Sequence, residues 1–577
     1  MKLDLEKKIA GLLIPVFAIR TEDDLGIGDT GGVRQMVDWC ARHRFRVLQL
    51  LPINETGEDN SPYNAISAIA LDPTTIAISP ERLPELNRAD FDSIVAGSDL
   101  GTLRAGPVKY RVVKPLKQKL LWAAFQNFQR GARVNPSVRV RQFRCFGNEN
   151  AKWLDDYCLF RTLVEENGGK AAWESWPSEH QDPKRARAWV AGQPDARRRE
   201  LVERKEFFAY IQWIAHTQWA EAHRHAESRG VALMGDIPFG VSRNSADVWA
   251  HRDLFDLQWS GGAPPEKVFK LDEFTMKWGQ NWGVPLYKWD AHRKQHFAWW
   301  TLRVRQTSNI FHAFRIDHVL GFYRIYAFPW KPEDNWQYEK LTREEAAEKT
   351  GGLLPRFWPG PDDAPEQKKI NCDQGEGILR VILDAAGETT VIAEDLGVVP
   401  DYVPVNLTKL GIPGFKIPHF ERNKDYTWKD ATGYQRLSVV TPATHDHEPL
   451  AAQWRTLWNE HEDAKAKQDH HRAHVSWLEL QRFVWWCGWD GNHIPREFMP
   501  ELHEAYCRRV FQSNSWLAIL MITDVFAQTA RFNVPGPMAE SNWAERLEIP
   551  VSILDSDSHA QARVRLIEDL IRGAGRS

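Results

Sequence analysis

FRIDHVLGF, residues 314–322, mixes apolar and charged side chains: Phe314, Ile316 and Val319 are interspersed with Arg315, Asp317 and His318. In an extended strand successive side chains face opposite ways, so Arg315 and Asp317 share one face while Phe314 and Ile316 share the other. A buried cation–carboxylate pair is costly unless each partner compensates the other. Two readings stand side by side: a structural ion pair in a core, or an aspartate that a site holds ionised at neutral pH. The rest of the chain shifts the balance.

Working outward, short apolar, β-branched segments recur. They are IAGLLIPVF (9–17), RVLQLLPI (46–53), VALMGDIPF (231–239), IFHAFRID (310–317), TTVIAED (389–395), GIPGFKI (411–417), LSVVTPATHD (437–446) and LAILMITDV (517–525). Amphipathic helical stretches such as GGVRQMVDWCARHR (31–44) and GEGILRVILDAAG (375–387) lie between many of them. Eight strands alternating with helices predict an α/β fold, a (β/α)8 TIM barrel. Polar residues close several strand segments, as expected where a barrel's active site occupies the C-terminal face. The connections are uneven. One catalytic domain is expected over 1–577, with a mainly helical inserted subdomain at 74–228 between strands two and three. A smaller insertion is expected at 328–374 after strand four, both insertions lying around the barrel mouth.

The chain has 577 residues, 43% of them hydrophobic, enough for a large barrel with a packed core. A formal net charge of −3 gives no electrostatic reason to expect nucleic acid or an anionic membrane as partner. No apolar run approaches a membrane span, and MKLDLEKKIAGLL at the N-terminus lacks a signal-peptide pattern, so a cytoplasmic location is expected. Six cysteines without close pairs read as reduced, mostly packed thiols. Tryptophan is abundant, at 27 residues. Indoles offer flat apolar faces with one polar N–H, suited to stacking on sugar rings, so the count suggests a carbohydrate ligand.

Two motifs mislead. GIGDTG (26–31) matches GxGxxG, but RTEDDL separates it from the strand and no acidic residue follows at the spacing of a dinucleotide site. His470 and His474 have the spacing of zinc ligands but lack a third ligand, and read as a surface helix. No metal and no cofactor is expected.

The carboxylates carry more. Asp236 in GDIP, Asp317 in FRID, Glu394 in AED and Asp446 in THD each end a strand segment, and in a barrel they converge on one mouth. Acids sharing a cavity have their pKa values driven apart. Asp317 beside Arg315 is expected to be ionised, as a nucleophile must be. Glu394 is expected to hold its proton longer and serve as general acid, while Asp395 faces away and is structural. Two such acids about an anomeric carbon are the equipment of a retaining glycosidase-type reaction, with Asp446 available to bind hydroxyls of a distorted ring.

These residues resemble the 4-α-glucanotransferase (amylomaltase, or disproportionating enzyme) family of the α-amylase superfamily. The resemblance runs through GIGDTGG (26–32), DNSPYNAISAIALDP (59–73), GDIPFGVSRNSADVWAHRDLF (235–255), GGAPPE (261–266), GQNWGVPLY (279–287), FRIDHVLGF, AEDLGVVP (393–400), THD (444–446) and NVPGP (533–537). It implies Asp317 as nucleophile, Glu394 as acid/base and Asp446 as transition-state stabiliser. Tyr63 would be the platform under the donor glucose, with Arg315, Asp236 and His445 as hydrogen-bonding neighbours. Trp282, Glu266 and His318 complete the substrate-binding set, and the GGAPPE–GQNWG segment is similar to a mobile loop on the acceptor side. No separate C-terminal β-sandwich is implied. Leu320, the HEPL after THD and Glu266 depart from the common pattern. RIDHVLGF and the long insertion after strand four are similar to the branch that includes plant cytosolic disproportionating enzymes. The implied activity is transfer between α-1,4-glucans or maltooligosaccharides. The alternatives are an α-glucan hydrolase on the same barrel and a non-catalytic carbohydrate-binding protein.

Overall fold

The computed structural model describes residues 1–134, 137–265, 273–535 and 541–576. Its strands, in chain order, are β1 (Ile9–Leu13), β2 (Val47–Gln49), β3 (Ala232–Ile237), β4 (Phe255–Ala263), β5 (Gln280–Tyr287) and β6 (Ala313–Ile316). They continue with β7 (Ile325–Phe328), β8 (Arg356–Trp358), β9 (Thr390–Ala393), β10 (Gly414–Lys416), β11 (Ser438–Val440) and β12 (Leu517–Met521). Eight form one parallel sheet in the order β10–β11–β12–β1–β2–β3–β6–β9. Each of the eight segments read from the sequence contains one of them.

The sheet curls into a barrel. At its seam the Ala393 N–H donates to Pro413 O (2.9 Å) and the Phe415 N–H to Asp395 Oδ1 (2.7 Å). Asp395 therefore pins β9 to β10 and faces away from the mouth. A Cβ on Gly414 would lie 2.6 Å from its Oδ2, so only glycine fits beside it.

Inside the barrel, Leu13, Val47, Ala232, Met234, Ala313, Ile392, Phe415, Val439, Leu517, Ile519 and Met521 pack together. Each large member stabilises the fold by roughly 1.5–3 kcal/mol when fully buried. The two-residue period then sets what lies above them. Met234 is followed on the inner face by Asp236, Ala313 by Arg315 and Asp317, and Ile392 by Glu394. Phe314 and Ile316 join the core between barrel and helices. At the opposite end the fully buried Arg576 donates to the carbonyls of Ile9, Phe511, Ser513, Ser515 and Trp516. Burial lowers its pKa to about 9.

Between β2 and β3 the chain is mostly helical, with long helices at Tyr110–Val134, Val138–Glu166 and Asp195–Ser228. The last buries Phe207, Ile211, Ile214, Gln218, Ala222 and Ala226 at spacings of three and four, a continuous inner stripe. Two of its glutamines imitate a β-ladder. The Gln212 amide accepts from Leu71 N–H (2.9 Å) and donates to Leu71 O (2.8 Å), and Gln218 does the same for Ala77 (2.8 and 3.0 Å). These staples satisfy buried backbone groups in the segment that follows β2 and carries Tyr63.

The sequence reading did not anticipate a second, antiparallel sheet, ordered β5–β4–β7–β8. Its strands leave the barrel after β3 and β6, so it stands on the mouth side. Pro285 sits in edge strand β5, where a missing N–H is tolerated. A Cβ on Gly262 would fall 1.9 Å from Gln280 O, which explains the glycine in GGAPPE. A third excursion, helices Leu450–Ala466, His470–Trp486 and Pro500–Gln512, separates β11 from β12. No helix among the described residues is long and apolar enough to cross a membrane.

Candidate active site

Arg315 is the hub. Neighbouring strands β3 and β6 pair Asp236 with Arg315 directly, and both face inward. The guanidinium donates through Nη1 to Asp236 Oδ2 and through Nη2 to Asp317 Oδ1, each at 2.6 Å. The same Nη2 lies 4.0 Å from Glu394 Oε2. The nearest oxygens of Asp317 and Glu394 are therefore no more than about 6.6 Å apart, the sum of those two distances. That ceiling accommodates the ~5–5.5 Å carboxyl separation of a retaining pair. Asp236–Arg315 is a buried ion pair, its side chains 0% and 4% exposed, while Asp317, at 28%, opens into the mouth. Asp317 Oδ2 has no hydrogen-bond partner among the described residues.

Glu394 is fixed by backbone. Its Oε2 accepts from His318 N–H (2.8 Å) and its Oε1 from Leu396 N–H (3.1 Å). His318 itself has φ of 49°, in the left-handed region where a non-glycine residue costs roughly 1–3 kcal/mol. Burial pushes the Glu394 carboxyl up to about 8; the Arg315 charge and the His318 N–H pull it back, and the charge of Asp317 adds to the rise. Burial likewise raises Asp236 to about 6 against the pull of Arg315.

Across the mouth, Asp446 Oδ1 accepts from Asn533 Nδ2 (2.6 Å), and its Oδ2 lies 3.3 Å from His445 Nε2. The His445 imidazole and the Asn533 amide outweigh burial and hold this carboxyl well below the usual carboxylate range. Arg531 donates to the Asp446 carbonyl (2.8 Å), steadying the loop.

The floor is aromatic. The Tyr63 ring stacks on His445, centroids 4.7 Å apart and planes at 10°, with Trp543 tilted against both at 5.8 Å. The Tyr63 hydroxyl donates to Asp236 Oδ2 (2.7 Å). At the rim Trp282 meets His318 edge-on, centroids 4.8 Å apart. Burial lowers the His318 pKa to about 4, so the ring is neutral at pH 7.

Nine of the ten residues singled out from the sequence thus gather at one mouth; Glu266 lies outside the described residues. Asp236 and His445 are buried beneath the surface, bracing Arg315 and Tyr63 from below. Sequence reasoning missed Asn533, Arg531 and Trp543. The motif NVPGP contains the first, but nothing local ties it to Asp446, 87 positions away.

Two other features argue against cofactor sites. Asp29 caps the helix Thr30–Arg42 by accepting from Gly31 and Gly32 N–H, so a carboxylate already holds the amides that a phosphate would need. His223, Glu227 and His312 could face one metal ion. His312 Nδ1 accepts from Leu233 N–H (3.1 Å), which leaves the proton of its neutral ring on Nε2, and Glu227 pairs with the N-terminal ammonium. That trio is not a ready ligand set.

A parallel barrel with paired acids at its mouth, set over an aromatic floor, defines a class: the (β/α)8 enzymes that process carbohydrate through carboxylate chemistry. Comparison with known proteins narrows it. The family model described as 4-alpha-glucanotransferase (Glyco_hydro_77) matches residues 14–552, and the chain belongs to that family. A 4-alpha-glucanotransferase of Chlamydia pneumoniae is 30% identical over 546 residues, covering 93% of this chain and 91% of its own. The rice (Oryza sativa subsp. japonica) 4-alpha-glucanotransferase DPE2 is 31% identical over 703 residues, covering 98% of this chain and 70% of its own. Among solved structures, an amylomaltase from Streptococcus agalactiae in complex with acarbose superposes with a TM-score of 0.72 at 22% identity, covering 99% of this chain and 100% of that one.

Proposed function

We infer that the chain is a retaining α-1,4-glucanotransferase that passes glucanosyl units between α-1,4-glucans or maltooligosaccharides. Family membership supports the activity. The observation that carries the mechanism is the single guanidinium bonded to Asp317 and within 4.0 Å of Glu394. Asp317 Oδ2 attacks the anomeric carbon of the donor as Glu394 gives its proton to the departing O4, so the C1–O4 bond breaks and an ester to Asp317 forms. The departing glucan leaves with that proton. Glu394, now a carboxylate, takes the proton from the 4-hydroxyl of an acceptor, whose oxygen attacks C1 and frees Asp317. Two inversions leave the linkage α. An acid with a pKa near 8 is protonated at neutral pH and suits the first step. Asp446, held ionised by His445 and Asn533, receives hydroxyls of the distorted ring, and Tyr63 lies beneath that ring.

Transfer outcompetes hydrolysis only where an acceptor is held in near-attack geometry and bulk water is kept away. The second sheet, whose strands leave the barrel after β3 and β6, supports such cover, and Trp282 beside His318 offers an acceptor contact. The test is incubation of pure protein with maltotriose alone. A ladder of longer maltodextrins with glucose supports transfer; glucose and maltose without longer products would make the chain a hydrolase.

A further inference from the structure

Trp336 is 74% exposed, the most exposed large apolar side chain among the described residues. A lone exposed indole is ordinary; what surrounds this one is not. It lies in the turn Pro332–Gln337, and the residues beside it are held. Asn335 Oδ1 accepts from Trp330 Nε1 and from Asn281 Nδ2, both at 3.1 Å. Gln337 donates to Asp334 (2.7 Å) and accepts from Lys349 (2.8 Å). The next residue, Tyr338, stacks on Trp330 at 3.8 Å and 6°. The indole is thus set on a fixed pedestal while its own face is left to solvent.

The pedestal is joined to the catalytic mouth. Asn281, bonded to Asn335, immediately precedes Trp282, the rim indole that meets His318 next to Asp317. A Cβ on Gly283 would lie 3.0 Å from the Pro332 ring, so turn and rim strand are in close contact there. Two exposed indoles, Trp282 at the rim and Trp336 on the turn packed against it, therefore stand on adjoining chain segments.

We propose that Trp336 is a remote platform for the chain of an α-glucan, stacking on a glucose unit several residues from the bond being made or broken. The proposal rests on the glucanotransferase reading for its ligand. Flat indole against the C–H face of a pyranose, with hydroxyls left wet at the rim, is the chemistry that such a surface recognises.

The test compares Trp336→Ala and Trp336→Tyr with the wild-type protein on two donors, maltotriose and soluble amylose. Retardation in native gels containing amylose is measured alongside, because it reads binding without turnover. Trp336→Ala is expected to raise KM for amylose about 2- to 12-fold, the range of one aromatic contact. It should weaken retardation and leave kcat and KM for maltotriose unchanged. Trp336→Tyr should restore most of the amylose affinity. Unchanged KM for amylose and unchanged retardation would overturn the proposal, as would equal losses on both donors. Failure of the wild-type protein to make a maltodextrin ladder, with retardation still dependent on Trp336, would sink the transferase reading and leave the platform standing.

Discussion

Replacing Arg315 by lysine keeps the charge and removes the fork. The guanidinium makes two charge-assisted hydrogen bonds of 2.6 Å, to Asp236 and to Asp317, from a side chain only 4% exposed. An ammonium on a flexible stem can hold one of those partners well, not both. The deeper carboxylate, Asp236, has no other cation bonded to it among the described residues and should keep the lysine. Asp317 then loses about 1.5–3 kcal/mol of orienting interaction. If that loss is felt fully in the glycosylation step, kcat/KM on maltotriose falls roughly 10- to 150-fold. Arg315→Met goes further, leaving acids buried without a counter-charge; about 3–5 kcal/mol of stability should be lost. It should also move the alkaline limb of the rate profile upward, because the guanidinium is a main force lowering the Glu394 and Asp236 pKa values. The assay is the initial rate of glucose release from maltotriose between pH 5 and 10, on the two variants and the wild type, with thermal unfolding in parallel. A lysine variant within threefold of wild type would refute the idea that the fork aims the nucleophile.

Glu394→Gln should cut kcat by about 10²–10⁴, while calorimetry still detects maltooligosaccharide binding. In the wild type, kcat/KM should fall above about pH 8 as Glu394 loses its proton, and the glutamine variant should lack that limb. The linked stability effect has the opposite sense to that of a salt-bridged acid. With the folded pKa raised above the unfolded one, the folded state binds more protons between about pH 4.5 and 8, so the Glu394 contribution declines as pH rises through that window; denaturant titrations of the two proteins at pH 5 and 8.5 would show the difference. Asn533→Ala removes the 2.6 Å hydrogen bond to Asp446 and should lower kcat more than it raises KM, by about tenfold for one charge-assisted bond; steady-state kinetics on maltotriose check this. Arg576→Ala removes one donor from five carbonyls at the closed end of the barrel, of which Ser513 O keeps Lys8 and Trp516 O keeps the Ile9 N–H, and should cost about 2–4 kcal/mol in denaturant unfolding, with the kinetics of the surviving folded protein unchanged.

Much of this molecule is written in local pattern. The barrel strands are short, β-branched and bounded by turns, so all eight were visible as segments. The two-residue period by itself puts Arg315 and Asp317 on one face. The second sheet was hidden because its strands do not look like strands. FDLQWSGGA ends in Gly-Gly-Ala, and QNWGVPLY contains both glycine and proline, residues that normally speak against sheet. They pair because tertiary neighbours supply the partners: β4 lies between β5 and a strand that follows β6. Asn533 and Trp543 were missed for a related reason, since each reaches its partners only after the chain has closed the barrel. The depth of Asp236 and His445 was equally invisible. A motif says that a residue belongs to a site, not whether it lies at the surface or under it.

The amide after Asp317 is the one that holds Glu394, so main-chain geometry ties one acid to the peptide that carries the other, while the Arg315 fork orients the Asp317 carboxylate. A drifting loop or an altered rim can change which sugar arrives, how long it stays and whether water competes with it. None of those changes moves the peptide that joins donor chemistry to proton chemistry. Diversification of such an enzyme can therefore run freely through chain-length preference and acceptor choice while the handedness of the product at its anomeric carbon stays locked.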